Sequence, residues 1–341
     1  MNGSLIDEIE AIAAAIEIHA PASYTFAGRT VGPVEAMPQA VPGLRASANP
    51  AIDRLAGDLY NYCFTRRFRG ELRDEPIQPP GPGDDLTPAL SAANASRERW
   101  DAGWQVVQTF PTGQVLARKG TIDRLFWPGD FVTHDAPGMP PRLGGSLSVF
   151  LRRDSTTVQP GFYFAFGESA VDPLDDENLV RFYWNVAAES APLLTRLVTA
   201  VLNRFGVPFR FKTLCIRAHY YRFDAAVLFA NRRHHRIAAE LMIGVYEAVR
   251  GGLGPETPLF TKELAPGLGL AEDPGGGESF GMSRCRMLSE GLWAAHGLAL
   301  ESPRARAQAV IAHMAGQGVS LERPYATGGY AESYDHPQFP S

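Results

Sequence analysis

The chain has 341 residues, of which 45% are hydrophobic and 20% are charged, and its net charge is −5. This composition is typical of a globular protein with a large core, and the acidic balance excludes a general polycation for nucleic acid. No apolar run reaches membrane-spanning length, and the acidic N-terminus lacks the basic region of a secretory signal. Three widely spaced cysteines favour a reduced, cytoplasmic protein over a disulfide framework or a zinc site.

Composition divides the chain into three predicted parts. Residues 1–75 form an N-terminal helical region, because apolar residues recur at helical spacing in 5–19 and 51–68. Segment 76–98 is rich in Pro, Gly and Asp, which predicts a linker or long surface loop. Residues 99–341 hold the predicted α+β core, with C-terminal helices and a tail.

The core is predicted to be α+β, with one mixed, largely antiparallel sheet flanked by helices. A long stretch rich in Gly and Pro, 258–274, is expected to form an irregular loop. Strands are expected at 104–110, 114–119, 145–152, 161–166, 180–185, 208–214 and 224–229, and helices at 190–205, 232–250, 279–296 and 303–315.

Basic residues concentrate in the strand–helix–strand–strand unit between 180 and 229. Side chains alternate across a strand, so Arg181 and Tyr183 share one face of the first strand. By the same alternation Arg210 and Lys212 share one face of the second strand, and Arg222 precedes the third. Binding of an anion is the simplest reason for this pattern, and an ordinary exposed strand face is the alternative.

Lysine is rare in this chain: of 32 basic residues only Lys119, Lys212 and Lys262 are lysines. Arginine cannot lose its proton in a protein, whereas a buried or crowded lysine can. Lys212 is therefore a candidate general base, and Lys119 and Lys262 are candidate phosphate ligands. Arg284 is a weaker candidate ligand, because it follows a glycine-rich loop that opens a helix, and such loops can cradle phosphate.

Several segments between about 55 and 296 resemble the HopA-type type III effector family. They are RFYWN at 181–185, FRFKTL at 209–214, YYRFDAAVLF at 220–229, PLFTKELAPGLGLAEDP at 258–274 and SFGMSRC at 279–285. Family members outside pathogens are lyase partners of kinase-like proteins in the pathways to class V lanthipeptides and thioamitide-type peptides. The resemblance implies a carbon–oxygen lyase that eliminates phosphate, without hydrolysis, from phospho-Ser or phospho-Thr of a precursor peptide. Dehydroalanine or dehydrobutyrine would remain.

The same unit is distantly similar to phosphothreonine lyases and to the lyase domains of class III and IV lanthipeptide synthetases. Those proteins carry a basic-x-His strand, a helix, a basic-x-Lys strand and then an arginine, and the resemblance implies a phosphothreonine-lyase-like core. It aligns Arg181, Arg210, Lys212 and Arg222 with the basic positions and Tyr183 with the histidine. Because a tyrosine replaces that histidine, the general acid stays open, and the candidates are Tyr183, His219 and Tyr221.

Elimination of phosphate requires the same kinds of side chain, whatever the family resemblance. Phosphate elimination needs a base for the Cα proton, cations for the phosphate and a proton donor for the leaving oxygen. The expected partners are a phosphorylated precursor peptide and a separate kinase-like protein, without nucleic acid or membrane, and no metal or organic cofactor is implied.

Two other hypotheses for the function remain. One is a noncatalytic effector-like module that binds a phosphorylated protein or peptide, and the other is a carrier whose N-terminal helices hold a leader peptide or kinase.

Overall fold

A computed structural model describes residues 5–19, 22–35, 47–74, 81, 83–134, 139–169, 178–327, 334, 338 and 339. Within these ranges the chain forms three antiparallel sheets with helices around them, which confirms the α+β class. The expectation of one sheet running from 104 to 229 was wrong. The strands before and after residue 152 belong to different sheets, and the second of these sheets extends to residue 272.

The N-terminal part contains a small sheet as well as helices. Its elements are α1 (Leu5–Ala14), β1 (Ile16–His19), β2 (Ser23–Phe26), β3 (Arg29–Val31), α2 (Pro50–Leu59) and a π-helical turn (Tyr60–Phe64). The predicted helix over 5–19 ends at Ala14, because Ile16 and Ile18 alternate with polar residues and pair with β2 as a strand. The predicted helix over 51–68 ends at Phe64 after its change to π geometry.

A short helix, α3 (Thr87–Ala93), lies within the segment that composition assigned to a linker, 76–98. Its proline occupies the first turn, where a missing N–H leaves no helical hydrogen bond unmade. The Asp85 carboxylate supports the start by accepting a hydrogen bond from the Thr87 N–H at 2.9 Å. Residues 76–80 and 82 of the predicted linker lie outside the described residues.

A five-stranded sheet follows α3 and has its own small core. Its strands are β4 (Arg99–Thr109), β5 (Val115–Lys119), β6 (Ile122–Phe126), β7 (Phe131–Thr133) and β8 (Ser146–Leu151), in the order β6-β5-β4-β8-β7. The strands predicted at 104–110 and 114–119 pair antiparallel as the hairpin of β4 and β5. Trp104 is fully buried in this core and packs edge-on against Phe126, with ring centroids 4.9 Å apart.

The main sheet has seven strands and carries the predicted basic unit. Its strands are β9 (Asp154–Ser155), β10 (Phe162–Phe166), β11 (Leu179–Trp184), β12 (Phe209–Leu214), β13 (Ala226–Asn231), β14 (Lys262–Ala265) and β15 (Leu268–Glu272), in the order β14-β15-β11-β13-β12-β10-β9. Helix α4 (Ala191–Arg204) connects β11 to β12. Strand β13 lies between β11 and β12 and pairs antiparallel with both.

The prediction of an irregular loop over residues 258–274 was wrong. Most of these residues form the hairpin of β14 and β15. Pro266 and Gly267 make the two-residue connection between these strands. Gly267 has a φ of +77°, and a Cβ there would lie 2.2 Å from the Gly254 carbonyl oxygen. A Pro-Gly pair in a tight turn is compatible with strands on both sides, so counting Gly and Pro underestimated the regular structure here.

Helices from both ends of the chain complete the core. They include α5 (His235–Val249), α6 (Phe280–Gly297) and α7 (Pro303–Gly316), and Ser302 is the N-cap of α7. One continuous hydrophobic core joins α1, α2, the main sheet, α6 and α7. No helix among the described residues is long and apolar enough to cross a membrane.

The π-helical turn and α6 together cover one face of the main sheet. Phe64 from the turn and Phe280 from α6 pack against Tyr183 of β11, with ring centroids 6.0 and 6.3 Å away. Gly281 allows this close approach, because a Cβ there would lie 2.6 Å from a Phe64 ring carbon and 2.7 Å from a Tyr60 ring carbon. The lack of a side chain at Gly281 thus determines how closely the N-terminal part approaches the sheet.

We expect Gly281→Ala to lower the free energy of unfolding by about 1–3 kcal/mol, because the added methyl overlaps two aromatic rings. Gly244→Ala in α5 is the matched control, since no described atom lies within 4 Å of its added Cβ. A helical Gly→Ala change in open space should stabilise by about 0.5–1 kcal/mol. Urea unfolding of both variants measures the difference, and equal effects would contradict the packing described here.

Candidate functional site

Two rows of side chains cross the centre of the main sheet on its covered face. Arg181 of β11 and Arg210 of β12 both lie opposite Phe229 of β13. One step along the strands, Tyr183 and Lys212 both lie opposite Val227. Side chains in register on adjacent antiparallel strands share a face, so the strand register brings these four residues onto one surface.

Aromatic rings gather the basic groups into one cluster. The Phe229 ring centre lies 5.1 Å from the Arg181 guanidinium carbon, 5.8 Å from that of Arg210 and 5.7 Å from Lys212 Nζ. The Phe162 ring lies 4.4 Å from Lys212 Nζ and 5.8 Å from the Arg222 guanidinium carbon. Cations are attracted to aromatic faces at such distances. We call Arg181, Arg210, Lys212 and Arg222 the cation cluster.

Among the described residues, Asp273 and Asp224 are bound to two of the four basic groups. Asp273 accepts hydrogen bonds from Arg181 Nε, at 2.9 Å, and from Arg181 Nη2. Asp224 accepts from Arg222 Nε at 2.8 Å and from Arg222 Nη2 at 2.9 Å. The carboxylates fix the orientation of two guanidinium groups, and all four basic groups lie around the same two aromatic rings. The cluster is therefore suited to an anion.

Tyr60, Asp224 and Asp273 belong to this site, although the sequence analysis did not select them for it. The Tyr60 hydroxyl donates a hydrogen bond to Asp224 at 2.8 Å and accepts one from Arg222 Nη2 at 3.0 Å. Tyr60 opens the π-helical turn, and single π-turns are frequent at functional sites. Sequence spacing indicates no such turn. Asp224 was detectable, because it follows Arg222 by two residues.

Lys212 has the properties of a base. Burial lowers the pKa of its ammonium to about 8, Asp224 opposes the change, and Arg181 and Arg222 add to it. A buried or crowded lysine can lose its proton, and here burial against Phe162 and Phe229 is a larger cause than the neighbouring arginines. The Lys212 side chain is half-buried, and its Nζ donates a hydrogen bond to Gln159 Oε1 at 2.9 Å.

Tyr183 has the properties of a proton donor. Burial raises the pKa of its hydroxyl to about 12, and the hydrogen-bonded Arg181 guanidinium opposes this rise. The phenol therefore keeps its proton at neutral pH. The positive charge of Arg181 would stabilise the phenolate if the proton were lost. Tyr183 is only 3% exposed, so it lies at the closed end of the cluster, whereas Lys212 lies at the open end.

The other two acid candidates lie outside the cluster. His219 is exposed on a turn of 3-10 helix, Arg217–His219, and no contact among the described residues joins its ring to the cluster. Tyr221 is 36% exposed and packs under the Arg66 guanidinium, 4.4 Å from the ring centre. Both remain close along the chain to Arg222, but neither is brought onto the sheet face.

The remaining candidate ligands are held elsewhere. Lys119 is bound to Asp101 in the five-stranded sheet, at 2.7 Å. Lys262 donates to the Tyr334 carbonyl at 2.7 Å. Arg284 is 1% exposed, and burial lowers the pKa of its guanidinium to about 10. It donates to the carbonyls of Pro324 and Ala326, at 2.8 and 2.7 Å, so it anchors the segment after α7.

Potential metal ligands are occupied by protein groups. Buried Glu272 accepts hydrogen bonds from Thr327 and Tyr334, and it pairs with Arg232 at 3.2 Å. Asp273 is the partner of Arg181, as described above. In the described ranges no group of three or more His, Cys, Asp or Glu side chains could hold a metal ion.

Residues 153–326 match the model of the HopA1 effector protein family. The chain belongs to the HopA1 effector family. The match spans the whole cation cluster, from β10 through β13, and it ends at Ala326, whose carbonyl accepts a hydrogen bond from Arg284. The five-stranded sheet and the N-terminal helices lie outside it.

Two solved structures are similar to this HopA1-family chain. The effector protein from Pseudomonas syringae pv. tomato strain DC3000 is 21% identical, with a TM-score of 0.39 over 51% of this chain and 67% of that one. The effector from P. syringae pv. syringae strain 61 is 16% identical, with a TM-score of 0.38 over 49% of this chain and 63% of that one. The chain thus spans about two thirds of the length of these effectors. No curated protein matches it.

Asp224→Asn should test how the site is held together. Burial acts to raise the pKa of the Asp224 carboxyl. Arg222, Lys212 and the Tyr60 hydrogen bond outweigh this effect and hold the pKa below its usual value, so Asp224 is a buried anion. Removing its charge leaves Arg222 without its partner, and we expect the free energy of unfolding to fall by about 3–5 kcal/mol.

The control is Asp123→Asn, which breaks an ion pair with Arg118 on the exposed surface of the five-stranded sheet. Exposed pairs contribute about 0–1 kcal/mol, so this variant should unfold almost as the parent does. Unfolding in guanidinium chloride measures the loss of stability in each variant. Equal losses would contradict the role of Asp224 as the buried partner of Arg222.

Proposed function

We propose that this HopA1-family protein is a phospho-Ser/phospho-Thr lyase that acts on a precursor peptide phosphorylated by a separate kinase-like protein. The product is a dehydroalanine or dehydrobutyrine residue, as in the biosynthesis of lanthipeptide-type peptides. The observation that carries the proposal is the cation cluster, in which a lysine of lowered pKa shares one surface with three arginines and a buried tyrosine.

Lys212 is the base in this proposal. Its Nζ, when neutral, takes the Cα proton of the phosphorylated residue, and the C–H electron pair forms the Cα=Cβ double bond. The Cβ–O bond breaks, and its electron pair leaves with the phosphate. Because the pKa of Lys212 is about 8, a useful fraction of the amine is neutral near pH 7–8. The rate should rise with pH up to about 8 and then level off.

The arginines bind the phosphate and the charge that develops during elimination. Arg222 and Arg210 lie on either side of Lys212, which places guanidinium groups where a phosphate beside the lysine can accept paired hydrogen bonds. Removing the Cα proton creates negative charge on the neighbouring carbonyl oxygen, and preorganised cations stabilise such charge. Arg181 lies deeper, beside the tyrosine, and supports the leaving-group side.

Tyr183 is the first candidate for the acid that protonates the leaving oxygen. Its raised pKa keeps the proton available, and the Arg181 hydrogen bond stabilises the phenolate that remains. Placement in the cluster favours Tyr183 over His219 and Tyr221. Positioned acid–base catalysis accelerates a reaction by about 10²–10⁴-fold, so Tyr183→Phe should lower kcat within that range.

The alternative function is a noncatalytic module that binds a phosphorylated protein or peptide. Two observations favour it. Tyr183 is almost fully buried, and Arg181 and Arg222 are already paired with carboxylates. A phosphate in such a site would be held without reaching the acid. The two functions differ in whether Lys212 is needed for turnover or only for affinity.

A synthetic phosphoserine peptide bearing the cognate leader tests the proposal. Mass spectrometry should show loss of phosphoric acid, with formation of dehydroalanine, when the peptide is mixed with the parent protein. Lys212→Ala should abolish the loss, and Lys212→Arg should not restore it, because arginine keeps its positive charge but cannot act as a base.

Lys119→Ala is the matched control, because it removes a lysine outside the cluster and should leave elimination unchanged. Binding of the same peptide is measured in parallel by anisotropy. If the parent binds the peptide but forms no dehydroalanine, with or without the kinase, the lyase proposal fails and the binding module replaces it.

A further inference from the structure

A tight turn before β10 reaches the amine of Lys212. The turn has the sequence Gln159-Pro160-Gly161-Phe162, and the Phe162 N–H donates a hydrogen bond to the Gln159 carbonyl at 3.2 Å. Proline at the second position and a glycine with a φ of +80° at the third form the pattern of a type II turn. The backbone at Gln159 is therefore fixed by the turn that starts β10.

The turn is anchored to the strand that carries Lys212. The Gly161 carbonyl accepts a hydrogen bond from the Cys215 N–H at 2.9 Å, just beyond the end of β12. Phe162 pairs with Leu214, where β10 runs antiparallel to β12. Backbone hydrogen bonds therefore set how the turn lies relative to the Lys212 side chain.

Side chains from both ends of the turn contact the Lys212 amine. Gln159 Oε1 accepts a hydrogen bond from Lys212 Nζ at 2.9 Å, and the centre of the Phe162 ring lies 4.4 Å from the same nitrogen. A neutral lysine amine has two N–H groups and one lone pair. An amide oxygen and the face of an aromatic ring both attract N–H groups, so they direct the lone pair away from themselves. The lone pair is the part of the amine that takes a proton.

The turn contributes no charge of its own, because residues 155–161 contain no acidic or basic side chain. The charged and titratable groups that face Lys212 come from other segments: Asp224 and Arg222 precede β13, Arg181 and Tyr183 belong to β11, and Arg210 lies on the same strand as Lys212. Gln159 therefore supplies a neutral acceptor. It holds the amine while stabilising the protonated form less than a carboxylate would.

We propose that Gln159 is a positioning residue for the elimination, which holds the Lys212 amine by one N–H and leaves the lone pair for the Cα proton of the phosphorylated residue. The proposal rests on the proposed function. Gln159 acts through Lys212 and exchanges no proton itself. Because its side chain is exposed, Gln159 can be replaced without opening the core.

Gln159→Met removes the acceptor and keeps a side chain of similar length. The ammonium loses a hydrogen-bond partner, so the pKa of Lys212 should fall below its parent value of about 8. More of the amine is then neutral at pH 7. We nevertheless expect kcat to be about tenfold lower, the rate equivalent of one hydrogen bond, with little change in KM. A slower reaction with a larger neutral fraction indicates lost orientation, because titration alone would make the variant faster.

Gln159→Glu separates orientation from charge. The carboxylate still accepts the N–H, but its negative charge favours the ammonium, so the pKa of Lys212 should rise above the parent value. The rate of dehydroalanine formation at neutral pH should therefore fall. At a pH above the new midpoint kcat should return nearly to the parent value, which the methionine variant should not reach at any pH. The pKa of Lys212 is read separately, from an NMR titration of labelled lysine without peptide.

The matched control is Gln114→Met. Gln114 lies in the connection between β4 and β5, and its Oε1 also accepts a hydrogen bond, from Thr112 Oγ1 at 2.9 Å. This variant should keep the parent kcat and the parent pKa of Lys212. A parent-like kcat in Gln159→Met would overturn the proposal. So would shifts of the Lys212 pKa in the same direction in the methionine and glutamate variants of Gln159.

The failure of this proposal differs from the failure of the proposed function. If the parent forms no dehydroalanine, the lyase is removed, and the positioning role of Gln159 is removed with it. If the parent forms dehydroalanine and Gln159→Met forms it at the same rate, the lyase stays and only the positioning role is removed.

Discussion

The site depends on one constraint: a lysine and three arginines lie against the two aromatic rings of Phe229 and Phe162, at the centre of an antiparallel sheet. The rings hold like charges close together and exclude water from part of each side chain. Asp224 and Asp273 keep two of the arginines oriented. Lys212 is the member of the cluster that can lose a proton, and burial lowers its pKa. In the proposed mechanism, anion binding and base activation would therefore depend on the same packing.

The N-terminal part of the chain completes this arrangement. Tyr60 reaches from the π-helical turn to Asp224 and Arg222, and Phe64 covers Tyr183. Both aromatic residues approach α6 closely because residue 281 is a glycine. The HopA1 family match begins at residue 153, so these covering residues come from outside the matched segment. These contacts link the N-terminal part physically to the site.

Much of the central site was predictable because it depends on local periodicity. Alternation along β11 and β12 was enough to place Arg181 with Tyr183 and Arg210 with Lys212, and the register of both strands with β13 then brings the two pairs onto one face. The insertion of β13 between those strands was not predictable, since a helical crossover is compatible with several strand orders. Tyr60 was missed because 162 residues separate it from Arg222. The rarity of lysine selected Lys119 and Lys262, and a nearby glycine-rich loop selected Arg284. Neither signal carries information about where a side chain lies in the folded protein.

The central claim is that Lys212 is a lysine of lowered pKa within a cluster of cations. Only three lysines occur in the chain, so protein labelled with ¹³C at lysine Cε gives few enough NMR signals to follow one by one through a pH titration. The signal that disappears in Lys212→Met should titrate with a midpoint of about 8. A midpoint near 10.4, the value of an unperturbed lysine, would contradict both the burial described for this side chain and its role as a base.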